Sequence, residues 1–554
     1  MTSTRLMTEL LGTTRGRLVG LVLLCLVLFC FALGSNRALT AHEVLMAGTA
    51  KQMAMSGNWI VPTIGDHTWT EKPPLPQWLA GICALVLGGF NEWTMRLPFA
   101  VSGVVVVLLT VRLMTRLFDA RIGWLSGVIQ ATTVYTVMYA RLAESDMLLL
   151  VFVLGAITAF QEVETRLTTL SPAELQRYRL TFWTLLGLTN LAKGVAFGAV
   201  LIVFTCGGWI LLRRDWQAVR RWWSPLGILL GVAVAIAWPV AVVVYDPAAL
   251  ELWKRHLFDR AAGTLGYTQP PWYYLVQWPL QMLPWTPFLL LAVPQSLLAA
   301  RREAGSDRFC WWWFLGQMCL LSCSSGKHHH YLIYALPALS PIAAQGLLLA
   351  ASQLRDVSKS WKLWTVGLPL AAGGLLIAGI IAGTQRNEWR ADGWVFVPLL
   401  SLGFVVLAWQ LARRNVLRSA GVLLSLIVMG HVYAQVVVMP RVDTSAADKR
   451  FLAEVDRAVG REQVLAACGS QEMAQHIFYL QRPVIGIWNP ADLPQALPPS
   501  DQIYVIARGN ARADLALLGS VEQILQSTYT RREKSPHDRF TLFRVKPAPS
   551  LAAK

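Results

Sequence analysis

Long apolar runs joined by short basic connections are the feature that most limits what this chain can fold into. A bilayer-crossing helix needs about 20 apolar residues. Stretches of that kind are read at 18–36, 97–117, 122–140, 146–162, 180–191, 194–212, 225–245, 272–299, 309–323, 331–351, 362–383, 393–412 and 418–438. These thirteen stretches predict an all-α polytopic membrane region over residues 1–440. One further segment, PLPQWLAGICALVLGG from Pro74, is apolar without interruption only from Trp78 to Gly88. That is too short to span, so it is read as an interfacial or re-entrant helix.

The charges support this count. RLMTRLFDARIG, TRLTTLSPAELQRYR, RRDWQAVRR, ARREAGSDR, QLRDVSKSWK and ARRNVLR then all fall on the cytoplasmic side, and each carries Arg or Lys. Counting the Pro74 segment as a span would put nearly all of them outside, against the positive-inside rule. The net charge of +17 in a chain that is 55% hydrophobic and 15% charged therefore reads as membrane topology, and no nucleic-acid partner is expected. Arg5, Arg15 and Arg17 precede an apolar run from 18 to 34, longer than the roughly 7–15 residues of a signal-peptide core. The first run is thus expected to stay as a helix with a cytoplasmic N-terminus.

Most of the eight cysteines, such as Cys25, Cys30, Cys206 and Cys310, lie inside apolar runs, where a thiol acts as a small hydrophobe. Cys319 and Cys323 stand one helical turn apart; packing is the simpler reading and a metal pair the other. After about Arg441 hydropathy drops, and short β-like runs (QVLAAC, RPVIGIW, QIYVIAR, FTLFRV) alternate with helical patterns. Residues 441–554 are expected to form a small extracytoplasmic α/β domain. The remaining outer-face segments are a first loop at 37–96 with amphipathic helices, 141–146, a second large loop at 246–271, and 324–330. No internal repeat, phosphate-binding loop or dinucleotide fingerprint is present.

Ionisable side chains gather on that face: His42, Glu43, Asp66, His67, Glu71, Lys72, Arg141, Glu144, Asp146, His256, Arg260, Lys327 and His328 to His330. Within a membrane such groups are costly and mark function by default. A solvated rim of loops is the alternative for any one of them, and it explains the set less well. The stretch HEVLMAGTAKQMAMSGNWIVPTIGDHTWTEKPPLPQW from His42, with RLAESDMLL at 141, LAKGV at 191, LWKRHLFDR and QPPWYY within 252–274, and GKHHHYLIYALP at 326, resembles one family. This is the GT-C-type glycosyltransferases that use lipid-phosphate-linked sugars, including the protein O-mannosyltransferases and the aminoarabinose transferase of lipid A.

The resemblance covers about 40–350 and implies a membrane glycosyltransferase of the inner membrane with its active site on the periplasmic face. It would move a hexosyl or pentosyl unit from a polyprenyl-phosphate donor to a lipid A-like lipid, a protein or a glycan. The family has an acidic pair where this chain has His42-Glu43. The base that takes the acceptor proton is therefore Glu43, or His42 through its imidazole, or Asp146, for which a helix N-cap is the structural alternative. Lys72, beside two stiffening prolines, is expected to hold the donor phosphate, with membrane snorkelling as its other role. Arg260, Tyr331 and Lys327 resemble further phosphate contacts; Tyr331 also suits an interfacial aromatic belt. No cofactor is required, although Glu71 with His256 resembles a zinc pair of the family. A carrier of lipid-linked sugars is the competing class, but transporters show related halves and broken midplane helices, and this sequence shows neither.

Overall fold

A computed structural model describes residues 14–34, 37–194, 196–254, 268–302, 305–356, 393–443, 445–496, 502–528 and 539–547. The chain divides into two compact units: Met1–Ala32, Phe99–Val240 and Leu250–Arg441 form the first, and Leu33–Pro98, Ala241–Ala249 and Val442–Lys554 the second.

Helices dominate. Among the described residues, Glu92–Leu117, Ser145–Arg166, Pro225–Tyr245 and Arg418–Arg441 are long and apolar enough to cross a membrane. Tyr273–Gln281 and Thr286–Arg302, bent by 116° at the break between them, give a fifth if taken as one span. Several expected spans take other forms. The stretch 122–140 splits into Ala120–Thr132 and Val134–Ala140 at Thr133, whose backbone is extended (φ −66°, ψ 130°). Its hydroxyl donates back to the Ile129 carbonyl at 2.6 Å. The stretch 331–351 opens as two 3₁₀ turns, His329–Tyr334 and Leu336–Leu339, before the helix Ser340–Asp356. The stretch 362–383 lies outside the described residues.

Two helices of the first unit position its chemistry. Ser171 and Pro172 start the helix Pro172–Lys193 with a capping box closed by Glu174, and Gly194 at φ +100° ends it. Together with Ser145–Arg166 it makes an antiparallel pair of 22 residues each, about 33 Å long, joined by the short 167–171 connection. Matched lengths bring the first turn of one beside the last turn of the other. Asp146 occupies that first turn and Lys193 that last one, each at the end where the helix dipole favours its charge.

In the second unit the helix Ala41–Ser56 leads to a hairpin of β1 (Thr63–Ile64) and β2 (His67–Thr68) and then to the helix Leu75–Val86. That last helix has 12 residues, about 18 Å, well short of a span. It buries Gln77, Ala80, Gly81 and Ala84 and exposes Ile82, Leu85 and Val86. The unit also holds β3 (Leu465–Cys468), β4 (Ile485–Ile487), β5 (Ile503–Arg508), β6 (Gly519–Gln526) and β7 (Phe540–Pro547), in the order β4-β3-β5-β7-β6. β3 pairs parallel with β4 and β5, and β7 antiparallel with β5 and β6. The four β-like runs of the sequence fall on β3, β4, β5 and β7. β6 is unforeseen because it is an exposed edge strand of mixed polarity with no buried alternate face.

Candidate active site

Asp146 is buried, and both of its closest partners meet one oxygen. Lys193 Nζ lies 2.5 Å from Oδ1, and the Tyr334 hydroxyl donates to the same oxygen at 2.8 Å. Lys193 also reaches the Tyr334 hydroxyl at 3.3 Å and sits over the rings of Phe197, Tyr331 and Tyr334, 5.0 Å from the Tyr331 centroid. In a 3₁₀ helix three residues make one turn, so His328, Tyr331 and Tyr334 fall on one edge of His329–Tyr334. Tyr331 and Tyr334 on that edge face Lys193. The backbone of the turn is pinned: Tyr274 OH donates to the His328 carbonyl at 3.1 Å and Gln281 Nε2 to that of His329 at 2.7 Å. A carboxylate, a caged ammonium, a phenol and a wall of rings thus converge at the head of a membrane-length helix. Asp146 is not the N-cap of that helix; Glu144 holds the cap position.

The histidine run borders this centre. Tyr135 OH and His329 Nδ1 are hydrogen-bonded at 2.9 Å, and His328 stacks on His330 at 5.4 Å. His330 Nε2 stands 3.9 Å from Asp146 Oδ1. Burial outweighs the pull of Asp146 and drops the His330 pKa to about 3, with Lys193 acting in the same direction as burial. The folded imidazole is then neutral where the unfolded one, below about 6.5, is protonated. Stability is therefore full above pH 6.5 and is lost as pH falls toward 3. On going from pH 7 to pH 5 wild-type protein should lose up to about 2 kcal/mol more than His330→Asn. Parallel melting curves for the two proteins would contradict this.

In the second unit Glu43 is fully buried, and the helix it opens explains why. Thr40 caps Ala41–Ser56, and Glu43 at the third position returns the bond, accepting from Thr40 N at 2.9 Å. Arg96 Nε donates to Glu43 Oε1 at 2.7 Å and Nη2 to Oε2 at 3.1 Å; Arg37 Nη2 adds a contact at 3.0 Å. Arg96 also donates to the carbonyls of Leu33, Arg37 and Ala38 at 2.9–3.0 Å. Burial alone would raise the Glu43 pKa, but Arg96 foremost, then Arg37 and the Thr40 amide, hold it down to about 2. Both Glu43 oxygens are thereby occupied, Oε1 by Arg96 and Oε2 by Arg96, Arg37 and the Thr40 amide.

His42, Glu71 and Lys72 belong to the second unit and Lys327 to the first. His42 is exposed on the first turn of its helix, and Glu71 and Lys72 are exposed after β2. Glu71 Oε1 accepts from Gln471 Nε2 at 3.2 Å. Lys327 is buried and donates to the Gln269 carbonyl at 3.0 Å. His256 and Arg260 lie outside the described residues. Among the described residues no three His, Cys, Asp or Glu side chains converge on a metal-sized site.

Residues 71–169 match the family described as dolichyl-phosphate-mannose-protein mannosyltransferase. The chain is 24% identical over 473 residues to the undecaprenyl phosphate-alpha-4-amino-4-deoxy-L-arabinose arabinosyl transferase of Shewanella sediminis, covering 82% of this chain and 83% of that one. The undecaprenyl phosphate-alpha-4-amino-4-deoxy-L-arabinose arabinosyl transferase 2 of Pseudomonas fluorescens is 27% identical over 298 residues, 52% of this chain and 51% of its own. The crystal structure of ArnT from Cupriavidus metallidurans bound to undecaprenyl phosphate superposes with a TM-score of 0.76 at 20% identity, over 97% of this chain and 99% of ArnT. The chain has the fold of ArnT, a GT-C membrane fold, and it resembles the aminoarabinose transferases and protein mannosyltransferases. Lys193 and Tyr334 are not singled out by the sequence. Both stand inside quoted matches, LAKGV and GKHHHYLIYALP, and the three-residue step from Tyr331 to Tyr334 is the signal that finds the second.

Proposed function

We propose that the chain transfers a sugar from a polyprenyl-phosphate donor to an extracytoplasmic acceptor, working in the inner membrane with its active site on the periplasmic face. The cluster of buried Asp146 and Tyr334 with half-buried Lys193 carries this reading. The arabinosyl transferases it resembles are named for an undecaprenyl-phosphate-linked amino sugar, and ArnT was crystallised with undecaprenyl phosphate.

In the step, the acceptor oxygen attacks the sugar's anomeric carbon as the bond to the donor phosphate breaks. The electron pair leaves with polyprenyl phosphate, and the acceptor proton passes to a base. Lys193 offsets the charge that develops on the leaving phosphate, and Tyr334 donates a hydrogen bond once substrate draws it from Asp146. Oδ2 of Asp146, which takes neither of the two close hydrogen bonds, is the proton acceptor proposed. His42 is the alternative base, and Glu43 becomes the anchor of its loop. Lys72, Arg260, Tyr331 and Lys327 would contact the donor phosphate. A zinc ion, held by Glu71 and His256 as the resemblance implies, would add positive charge for binding the donor phosphate.

The thirteen-span topology goes with this reading and sets the C-terminus outside. A reporter fused after Lys554 should be active in the periplasm, and activity confined to the cytoplasm would refute the topology. Lys72→Ala should weaken undecaprenyl-phosphate binding about tenfold with an unchanged melting temperature. Unchanged affinity would return Lys72 to a lipid-facing role. The function itself is tested by incubating purified protein with a polyprenyl-phosphate-linked sugar and acceptor lipid. Release of free polyprenyl phosphate is expected, whereas a carrier would return the donor intact.

A further inference from the structure

The second unit holds a clamp that the transfer step does not itself require. The β1-β2 hairpin turns at Gly65 (φ +65°), and the turn is gripped from two sides. From the helix Ala41–Ser56, Gln52 Nε2 donates to the Gly65 carbonyl at 2.7 Å, and Oε1 accepts from Gly65 N at 3.1 Å. From the sheet, Asp66 N donates to the Gly486 carbonyl at 3.0 Å, and Trp488 Nε1 to the Ile64 carbonyl at 3.0 Å. The Trp488 and His67 rings stack at 4.5 Å with 15° between their planes.

The approach is backbone on backbone. A Cβ on Gly65 would lie 2.7 Å from the Gly486 oxygen, and one on Gly486 2.6 Å from the Gly65 Cα. β4 is an edge strand of its sheet, and the hairpin meets part of its open edge. A second lock stands beside it: Lys51 Nζ donates to the carbonyls of Phe478 and Leu480 at 3.0 and 2.9 Å.

The hairpin leads directly to the segment that carries charge. From His67 to Lys72 the tether is at most about 17 Å long, and Pro73 and Pro74 stiffen its far end. We propose that Gly486 and Trp488, in the C-terminal sheet, are positioning residues for donor binding: they hold the hairpin and through it fix where Lys72 meets a polyprenyl phosphate. This rests on the phosphate role given to Lys72 under the proposed function.

Trp488→Ala removes the stack and the indole bond, and His67→Ala removes the stack from the hairpin side while leaving the sheet intact. Each should raise the Kd for undecaprenyl phosphate, and the KM for the sugar donor, about tenfold. kcat should stay within about threefold, and amide exchange at residues 63–68 should quicken. Trp488→Phe, which keeps an aromatic face, should recover most of the affinity. A role confined to folding would instead lower the melting temperature and leave the KM of the surviving protein unchanged. Faster exchange at 63–68 with wild-type Kd and KM in both alanine variants overturns the proposal alone. Wild-type protein that binds no undecaprenyl phosphate overturns the donor reading and this proposal with it.

Discussion

Lys193→Met should cut single-turnover transfer by about 100- to 1,000-fold, the loss typical when one preorganised donor to a developing anion is removed. The same change leaves Asp146 buried without its cation, so it should also cost about 3–5 kcal/mol of stability. The two effects separate in the double variant Lys193→Met with Asp146→Asn. Removing both charges should restore much of the lost stability, because an ion pair replaced whole costs far less than one broken. It should restore none of the activity. Recovery of both together would make the pair a purely structural one.

Arg96→Met should be the most damaging change in the second unit. Glu43 and Arg96 are 0% and 2% exposed, and the substitution strips a buried carboxylate of its main partner and three carbonyls of their donor. About 3–5 kcal/mol is expected from the charge alone. Glu43→Gln should be milder, because Gln keeps the capping-box geometry and Arg96 keeps its three carbonyls. Turnover per folded molecule should then stay within about threefold of wild type. A stable but inactive Glu43→Gln protein would return the role of base to Glu43. Acid titration offers a second check. The Glu43 pKa is depressed in the folded chain, so its stabilising effect is complete above about 4.5 and is lost as pH falls toward 2.

The membrane class and the GT-C resemblance could be read from sequence because both are local: apolar run length, basic connections, and contiguous motifs such as TEKPPLPQW. The roles within the motifs were harder to see. Thr40-Ala41-His42-Glu43 is a capping box in plain sequence, yet the partner that decides what Glu43 does, Arg96, stands 53 residues away in a stretch that carries no motif. Asp146 is a candidate in the sequence, but its ion-pair partner Lys193 is not. Lys193 closes an apolar helix just before a glycine, a placement that also suits a snorkelling lysine, and only the equal lengths of two antiparallel helices bring it to Asp146. Tyr334, which makes the bond to Asp146, is not singled out by the sequence because its turn has a three-residue period rather than the helical one expected from residue 331 onward. Thr133 and the break before Thr286 interrupted expected spans for a similar reason, since apolar content alone does not show where a helix bends.

The most direct test of the transfer centre is single-turnover release of free undecaprenyl phosphate from an undecaprenyl-phosphate-linked sugar by purified protein, comparing wild type, Lys193→Met and Glu43→Gln at equal folded concentration. The centre proposed around Asp146 and Lys193 predicts fast release by wild type and Glu43→Gln, and release slowed by about 100-fold or more in Lys193→Met. Wild-type rates in Lys193→Met, beside an inactive Glu43→Gln, would contradict it.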